Sequence, residues 1–227
     1  MDREEIDKRP DNNTEEVTTF PVANPSKLNK SEIIAKAFSY HSKGYLIEAV
    51  KYYQKFIDQG YHDPRVYSNY GSILQNNGNF DQAIKVLTKS IKLFPNSSVA
   101  YSNLGNIYRD LGNYSQAELL LKTAIQLNSG FYQAYYNLGN LYRDIGRFKE
   151  AAIYMRKAIE LNTNFAEAYN NLGIILNELC RFNEAEVALM KAIEINPNFA
   201  EAFSNLGKRY RDLGKLNKAK KFIQKAI

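Results

Sequence analysis

The sequence contains little of what redox, metal or membrane chemistry requires. Its 227 residues include one cysteine, Cys180, and two histidines, His41 and His62. A single cysteine cannot close an intrachain disulfide, and this set is too small for the usual zinc sites. No run of about 18 apolar residues is present that could span a bilayer. We therefore expect no cofactor, no metal and no membrane association.

The N-terminal stretch MDREEIDKRPDNNTEEV also lacks the features of a secretory signal. It is acidic and polar, whereas such a signal begins with basic residues and continues into an apolar segment. This predicts a cytoplasmic protein. Residues 1–29 are polar, punctuated by proline and without periodicity, which predicts a disordered tail.

Motifs for catalysis are missing as well. No GxxxxGK[ST] phosphate loop is present, because Gly207 and Lys208 are followed by Arg209, and there is no HExxH zinc motif. We expect His41 and His62 at the surface, and neither they nor Cys180 have a partner that would activate a nucleophile. The sequence predicts no enzyme activity in these residues.

Positive charge is concentrated at one end of the chain. The net charge is +6 and the pI is about 9.1. Residues 200–227 carry eight basic and two acidic side chains, whereas residues 1–29 carry four basic and seven acidic ones. A solvated helix with cations near its C-terminus, where they offset the helix dipole, explains this excess. Nucleic-acid binding is not favoured.

A period of 34 residues dominates the rest of the chain. The octet NLGNIYRD begins at Asn103, and related octets begin at Asn69, Asn137, Asn171 and Asn205. One period before Asn69 lies a degenerate unit containing AFSYHSKGYLIEAVKYYQKFI. The predicted units are 30–63, 64–97, 98–131, 132–165, 166–199 and a shortened 200–227, so the array occupies residues 30–227.

Each unit has the pattern of two helices. Apolar or small residues recur at unit positions 4, 7, 8 and 11, a spacing that forms one face of a first helix, called helix A here. A second amphipathic segment, helix B, follows. Asp63 and Pro64 are typical of an N-cap and a first helical residue. A single pair cannot bury its own apolar face, so the units must stack on one another in an all-α array.

The pattern resembles the tetratricopeptide repeat (TPR) family. In unit three the family's 34-residue pattern is carried by Leu104, Gly105, Tyr108, Ala117 and Ala124. The resemblance implies a right-handed superhelix, an α-solenoid, of six helix-turn-helix repeats that binds protein partners. Unit five departs from the pattern because Cys180 replaces the glycine found between the helices of the other units, which predicts a strained turn.

Four rows of helix A point away from its core face. On a wheel of about 100° per residue, positions 2, 6, 9 and 13 lie opposite positions 4, 7, 8 and 11. In the stacked array these rows are expected to line a concave groove. The polar residues of three of the rows are the candidate site: Asn69, Asn103, Asn137, Asn171 and Asn205 at position 6, Asn106 and Asn140 at position 9, and Asn76, Asp110, Asp144, Glu178 and Asp212 at position 13.

Two explanations of the recurrent asparagines remain open. A carboxamide carries both a donor and an acceptor, which suits the backbone of an extended peptide. Alternatively, the asparagines bond to a neighbouring helix or record repeat duplication. The position-6 asparagines resemble the asparagine ladder in the TPR arm of O-linked N-acetylglucosamine transferases, and this resemblance implies peptide binding. We expect alanine at Asn103, Asn137 and Asn171 to weaken binding and to leave the thermal midpoint nearly unchanged.

Other recurrent side chains have simpler explanations. The aromatic residues at positions 4 and 11 are expected to pack in the core, and Arg109, Arg143 and Arg211 to pair with the adjacent acids. The carboxylate clamp of chaperone-binding TPR proteins needs lysine and arginine at positions 2 and 6. Position 6 holds no arginine here, so that clamp is not expected.

Two functions of different classes fit these residues. The first is a non-catalytic scaffold whose groove binds an extended peptide. The second is the substrate-binding arm of a longer transferase, because arrays of this kind look similar to bacterial TPR segments that precede glycosyl-, sulfo- or methyltransferase domains. A third and weaker hypothesis, RNA binding by helical repeats, is disfavoured by the acidic row at position 13.

Overall fold

The computed structural model describes residues 28–226, which contain twelve α-helices and no β-strand. The helices are α1 (Lys30–Ser42), α2 (Leu46–Asp58), α3 (Pro64–Asn76), α4 (Phe80–Leu93), α5 (Ser98–Asp110), α6 (Tyr114–Leu127), α7 (Tyr132–Asp144), α8 (Phe148–Leu161), α9 (Ala166–Glu178), α10 (Phe182–Ile195), α11 (Ala200–Asp212) and α12 (Leu216–Gln224). Odd-numbered helices are the A helices and even-numbered ones the B helices. The predicted all-α, right-handed superhelix of six repeats is confirmed.

The A helices begin where the repeat units were predicted to begin, from Lys30 to Ala200. Local chemistry explains one of these starts directly. Asp63 has extended backbone angles, and its side chain accepts a hydrogen bond from the backbone N–H of Arg65, while Pro64 occupies the first helical position. A proline there loses no helical hydrogen bond, since the first N–H groups of a helix have no acceptor within it.

The predicted tail lies outside the described residues except for its last two. Asn29 caps α1: its Oδ1 accepts from the N–H of Glu32, and the Glu32 carboxylate accepts from the N–H of Asn29. Leu28 packs against the core formed by the first repeats. These two residues therefore belong to the first helical pair.

The two helices of a repeat approach closely at the glycine of position 8. A Cβ atom at Gly173 would lie 2.6 Å from Cγ of Leu189 on the facing B helix. Position 24, which Leu189 occupies, is fully buried in each of the first five repeats, by Tyr53, Leu87, Leu121, Met155 and Leu189. A small residue on one helix and a large one on the other form the core of each pair.

The turn between the two helices requires a left-handed backbone. Gly146 adopts φ 74° there, and four further repeats also place a glycine at this turn with φ between 69° and 78°. In repeat five the same position is Cys180 with φ 57°, the one non-glycine residue among residues 28–226 with positive φ. The predicted strain at this turn is confirmed, because a side chain in this region costs about 1–2 kcal/mol.

Contacts between repeats define the two faces of the array. From α3 onward, each A helix contacts the A helix of the next repeat. The B helices of neighbouring repeats, within the described chain, instead pack mainly against the A helices around them. Because the A helices are closer together than the B helices, they line the concave face and the B helices form the convex one.

Candidate functional site

The concave face is lined by the polar rows of the A helices. The five acidic or amide side chains predicted at position 13 (Asn76, Asp110, Asp144, Glu178 and Asp212) are exposed on it. The position-6 residues Asn69, Asn103, Asn137 and Asn205 are half-buried, as is Asn106 at position 9. Asn140 and Asn171 differ from these: they are only 5% and 7% exposed.

In the first half of the array the position-6 asparagines bond to the preceding repeat. Nδ2 of Asn103 donates to Oγ of Ser72 at 3.2 Å and to the backbone carbonyl of Ser68 at 3.3 Å. Nδ2 of Asn137 donates in the same way to Oγ of Ser102 at 3.1 Å. The donor half of each of these amides is therefore used to join consecutive A helices.

The first repeat is joined to the second differently, through a side chain of its B helix. Asn69 donates from Nδ2 to the hydroxyl of Tyr53 on α2, at 3.3 Å. That hydroxyl also lies 2.9 Å from Nδ1 of His41. His62 is exposed, as expected, whereas His41 is half-buried through this contact.

In the second half of the array the asparagines form a continuous buried network. Nδ2 of Asn171 donates to Oδ1 of Asn140 at 2.9 Å and to the hydroxyl of Tyr136 at 3.0 Å. Asn170 donates to Oδ1 of Asn171 and accepts, at its own Oδ1, a 2.9 Å bond from Asn205. A buried amide is tolerated because both of its ends are paired.

The expectation that these rows all face the open groove is thus wrong for Asn140 and Asn171. Their neighbours explain the difference. Tyr136 stands opposite Asn171 and is larger than Ser102, the equivalent residue opposite Asn137, so it covers the amide that a serine leaves open. The expected small stability effect of alanine at Asn171 is revised for the same reason.

The position-6 asparagines leave amide oxygens available as hydrogen-bond acceptors on the groove surface. In the described chain no protein donor reaches Oδ1 of Asn103 or Asn137, and neither atom is buried without a partner. Two other amide oxygens on this face, those of Asn106 and Asn177, are buried and unpaired. The face is therefore rich in hydrogen-bond acceptors without being strongly acidic.

A chain of alternating charges runs along one edge of the groove. Arg109 contacts Asp110 of its own repeat at 2.8 Å and Asp144 of the next repeat at 3.5 Å, and Asp144 also contacts Arg143. Gln75 donates to Asp110 at 2.6 Å, which extends the chain to repeat two. The predicted pairing of these arginines with acids is confirmed, and it neutralises the edge.

Sequence reasoning missed a cavity at the C-terminal end of the groove. It has a volume of about 530 Å³ and lies between α9 and α11, with Ile174, Asn177, Phe182 and Lys208 among its lining residues. The guanidinium of Arg209 is held 4.2 Å from the centre of the Phe182 ring. The signal in the sequence was the replacement of asparagine and isoleucine at positions 9 and 10 by lysine and arginine.

Tyrosines at position 11 pack between repeats, as predicted, and do not face the groove. The hydroxyl of Tyr142 donates to the Glu118 carboxylate at 2.7 Å, and that of Tyr210 donates to Glu186 at 2.6 Å. Burial, followed by the hydrogen bond to the carboxylate, raises the pKa of each tyrosine to about 12. Each pair joins an A helix to the B helix of the preceding repeat.

The described residues hold neither a metal cluster nor a bilayer-spanning helix. Across 28–226, no three or more His, Cys, Asp or Glu side chains come together in a way that could hold a metal ion. None of the helices in this range has the length and hydrophobicity needed to cross a membrane.

Family models match most of the array. Models described as tetratricopeptide repeat match residues 63–129, 102–164, 166–199 and 188–221. No curated protein sequence matches the chain.

Solved structures give a consistent picture. The crystal structure of MamA is 33% identical, with a TM-score of 0.60, and the match covers 69% of this chain and 91% of MamA. YrrB, described as a TPR protein with an unusual peptide-binding site, is 27% identical with a TM-score of 0.57, over 77% of this chain and 90% of YrrB. The APC/C hetero-tetramer Cut9-Hcn1 is 20% identical with a TM-score of 0.81, over 87% of this chain and 39% of that chain, and shows the fold alone. The matches with MamA and YrrB do not favour the alternative of a transferase arm.

Proposed function

This chain belongs to the tetratricopeptide repeat family, whose fold is typical of protein-interaction scaffolds, and we propose that its concave groove binds an extended segment of a protein partner. The role is non-catalytic. The contacts with the partner are made by the half-buried asparagines of position 6 and by the polar residues along the groove edge.

The observation that carries this proposal is the arrangement of free acceptors. Asn69, Asn103 and Asn137 recur on successive A helices, and the Nδ2 donors of all three are engaged within the array. Their Oδ1 atoms are left to accept from the N–H groups of a bound backbone. Because each amide is fixed by its bond to the preceding repeat, it loses little conformational entropy when a ligand binds.

The groove edge favours a ligand of low net charge. The acids at Asp110 and Asp144 are already paired with Arg109 and Arg143, so the edge offers neither a track for phosphates nor a strong acidic surface. This supports binding through backbone and apolar contacts instead of through charge. A peptide site is also described for YrrB, and its likeness to this chain lends support to the same role here.

The test uses a phage-displayed library of random dodecapeptides selected on the full chain. The selected peptides are then measured by fluorescence anisotropy against the Asn69→Ala/Asn103→Ala/Asn137→Ala variant. Three lost hydrogen bonds of about 0.5–1.5 kcal/mol each predict an affinity lower by at least about tenfold. The matched control is Lys85→Ala/Lys89→Ala/Lys92→Ala, three exposed residues of α4 on the convex face, which should leave the affinity unchanged.

Two results of this binding experiment would contradict the proposal. If the selected peptides bind both variants with the affinity of the unaltered chain, the asparagines only join the repeats. If instead the lysine variant loses affinity, the binding surface is the convex face. The cytoplasmic location, the absence of nucleic-acid binding and the likeness to O-linked N-acetylglucosamine transferase arms stay predictions.

A further inference from the structure

Three aromatic rings pack together in repeat four. The ring of Tyr154 on α8 lies 5.3 Å from that of Tyr142, in a stacked arrangement, and 6.4 Å from that of Tyr135, both on α7. The hydroxyl of Tyr142 then reaches Glu118 on the B helix of the preceding repeat. We call these three rings the aromatic triad of the repeat.

Repeat six contains an equivalent triad. Phe222 on α12 stacks on Tyr210 at 5.3 Å and lies 6.2 Å from Phe203. Here too the position-11 tyrosine donates to a carboxylate of the preceding B helix, Glu186. The two triads occupy equivalent positions in the two repeats that flank repeat five.

Repeat five has lost two rings of the triad and its carboxylate. Tyr169 occupies the position of Tyr135, but Leu176 replaces the stacked tyrosine and Ala188 replaces the ring of the B helix. Ala152 stands on α8 where the flanking junctions have a glutamate. All three replacements fall at a single junction, and together they remove the side chains that close it in its neighbours.

The result is the cleft of repeat five, a space of about 1060 Å³ on the convex side of α9. Its floor includes Tyr169, Leu172 and Leu176, and its sides come from the B helices α8 and α10. An ion pair between Arg156 and Glu184, at 3.0 Å, joins these two helices. Positions 4, 7 and 11 form this floor, so the cleft and the concave ladder are on opposite sides of α9.

Apolar surface continues from the cleft onto α10. Val187 is 70% exposed and Met190 is 45% exposed, and both line the cleft. At the repeat position of Val187, repeats three and four carry Leu119 and Ile153, which are 60% and 64% exposed, while repeats two and six carry Lys85 and Lys221. At this position of helix B, exposed aliphatic side chains thus occur in repeats three, four and five, and exposed apolar surface of this kind is found at interaction sites.

We propose that the cleft of repeat five binds an aromatic side chain of a protein partner. The ring takes the place that Tyr142 and Tyr154 fill in repeat four, packing edge or face against Tyr169 and over Leu176 and Ala188. The protein's own flanking repeats show that this geometry accepts aromatic rings.

The partner is a polypeptide because the cleft is much larger than one ring and is open along α10. Its rim carries side chains of both signs, including Arg156, Lys191 and Glu194, which suits the mixed polar groups around an anchoring residue. Val187 and Met190 offer apolar contacts to residues on either side of the anchor. This site acts independently of the concave groove.

The test measures binding of short peptides by methyl NMR on the full chain. The probes are nonapeptides GSGSXGSGS in which X is Tyr, Phe, Leu or Ala, and the reporters are the methyl groups of Val187 and Met190. The tyrosine and phenylalanine peptides should shift these signals saturably, with affinities about twofold to tenfold above that of the leucine peptide. The alanine peptide should leave the signals in place.

A variant that restores the flanking pattern provides the sharpest check. Ala152→Glu/Leu176→Tyr/Ala188→Tyr copies Glu118, Tyr142 and Tyr154 of the preceding junction and should close the cleft without loss of thermal stability. The shifts caused by the tyrosine peptide should then disappear. If this variant does not fold, Ala188→Leu narrows the cleft with one substitution and should weaken the same shifts.

The control is Asn103→Ala/Asn137→Ala, which alters the concave face and should keep the full response to the tyrosine peptide. Equal shifts with the tyrosine and alanine peptides, or an unchanged affinity in the closed variant, would overturn the proposal. If the asparagine variant no longer binds peptides in the groove but keeps the response at the cleft, the cleft is a site distinct from the function proposed above.

Discussion

Asn171 donates a 2.9 Å hydrogen bond from Nδ2 to Oδ1 of Asn140, and both side chains are buried where repeats four and five meet. The same repeat position in the first half of the array holds asparagines that bond to serines and remain half-buried. One residue type therefore serves two purposes along the ladder. Where it is buried it joins repeats, and where it is partly open it also presents an acceptor.

This difference predicts unequal costs of truncation. Asn171→Ala leaves the buried Oδ1 of Asn140 without its donor and also removes the bonds to Tyr136 and Asn170, so it should lower the free energy of unfolding by about 1–3 kcal/mol. Asn137→Ala, the matched control, removes one half-buried bond and should cost about 0.5–1.5 kcal/mol. Urea denaturation followed by circular dichroism measures both values. Equal costs would mean that the buried network adds nothing beyond a single bond.

The repeat period predicted the fold closely because it depends on contacts within one unit. Spacing of apolar residues and a cap such as Asp63 specify where an A helix starts, and these starts coincide with Lys30, Pro64 and the later unit boundaries. Burial of Asn171 was not predictable in this way. It depends on Tyr136 and Asn140 in the preceding repeat, 35 and 31 residues away, and the hydrogen bonds to them form only when the repeats stack.

The cleft of repeat five was not predictable from the sequence either, because it depends on side chains that repeat five lacks. The sequence contains the replacements Leu176 and Ala188, but nothing in one helix indicates that their positions are filled by stacked rings elsewhere. That relationship is visible only after α7 and α8 are packed together. A position-by-position comparison between repeats, guided by the contacts of one repeat, is the signal that could have located it.

The close approach of Gly173 to Leu189 predicts how each repeat responds to alanine. A Cβ at Gly173 would lie 2.6 Å from Leu189 Cγ and 3.3 Å from the Ala185 carbonyl oxygen. Gly173→Ala should therefore destabilise the array by about 1–3 kcal/mol, outweighing the gain in helix propensity of about 1 kcal/mol.

Gly139→Ala is the matched comparison. Its Cβ would meet Cε of Met155 at 3.0 Å, the flexible end of a methionine side chain that can move aside. We expect the free energy of unfolding to change by no more than about 1 kcal/mol, since the cost of moving the Met155 side chain and the gain in helix propensity offset one another. The thermal midpoints of the two variants are measured in the same buffer and compared. A cost at Gly139 as large as that at Gly173 would contradict this account of the helix contact.

Strain at Cys180 predicts a stabilising substitution. Cys180→Gly removes a side chain from a backbone with φ 57°, which should recover about 1–2 kcal/mol, less about 0.5–1 kcal/mol for the greater freedom of glycine in the unfolded chain. The thermal midpoint should rise by a few degrees. The reverse change, Gly146→Ala at φ 74°, should lower it, and a fall in both variants would show that the Cys180 side chain makes contacts that outweigh the strain.

The tyrosine–glutamate pairs predict a loss of stability in alkali. Burial, and then the hydrogen bond to Glu118, raises the pKa of Tyr142 from its usual 10.0 to about 12 in the folded protein. A raised pKa means that the folded state holds the proton more tightly. The contribution of this tyrosine to the free energy of unfolding is therefore fully present below pH 10 and declines between about pH 10 and 12.

Tyr142→Phe/Tyr210→Phe removes both titrating groups. The unfolding free energy of this variant should fall less steeply across this pH range than that of the unaltered chain. Identical pH slopes for this variant and the unaltered chain, measured by urea denaturation, would show that these hydroxyls do not couple folding to proton binding.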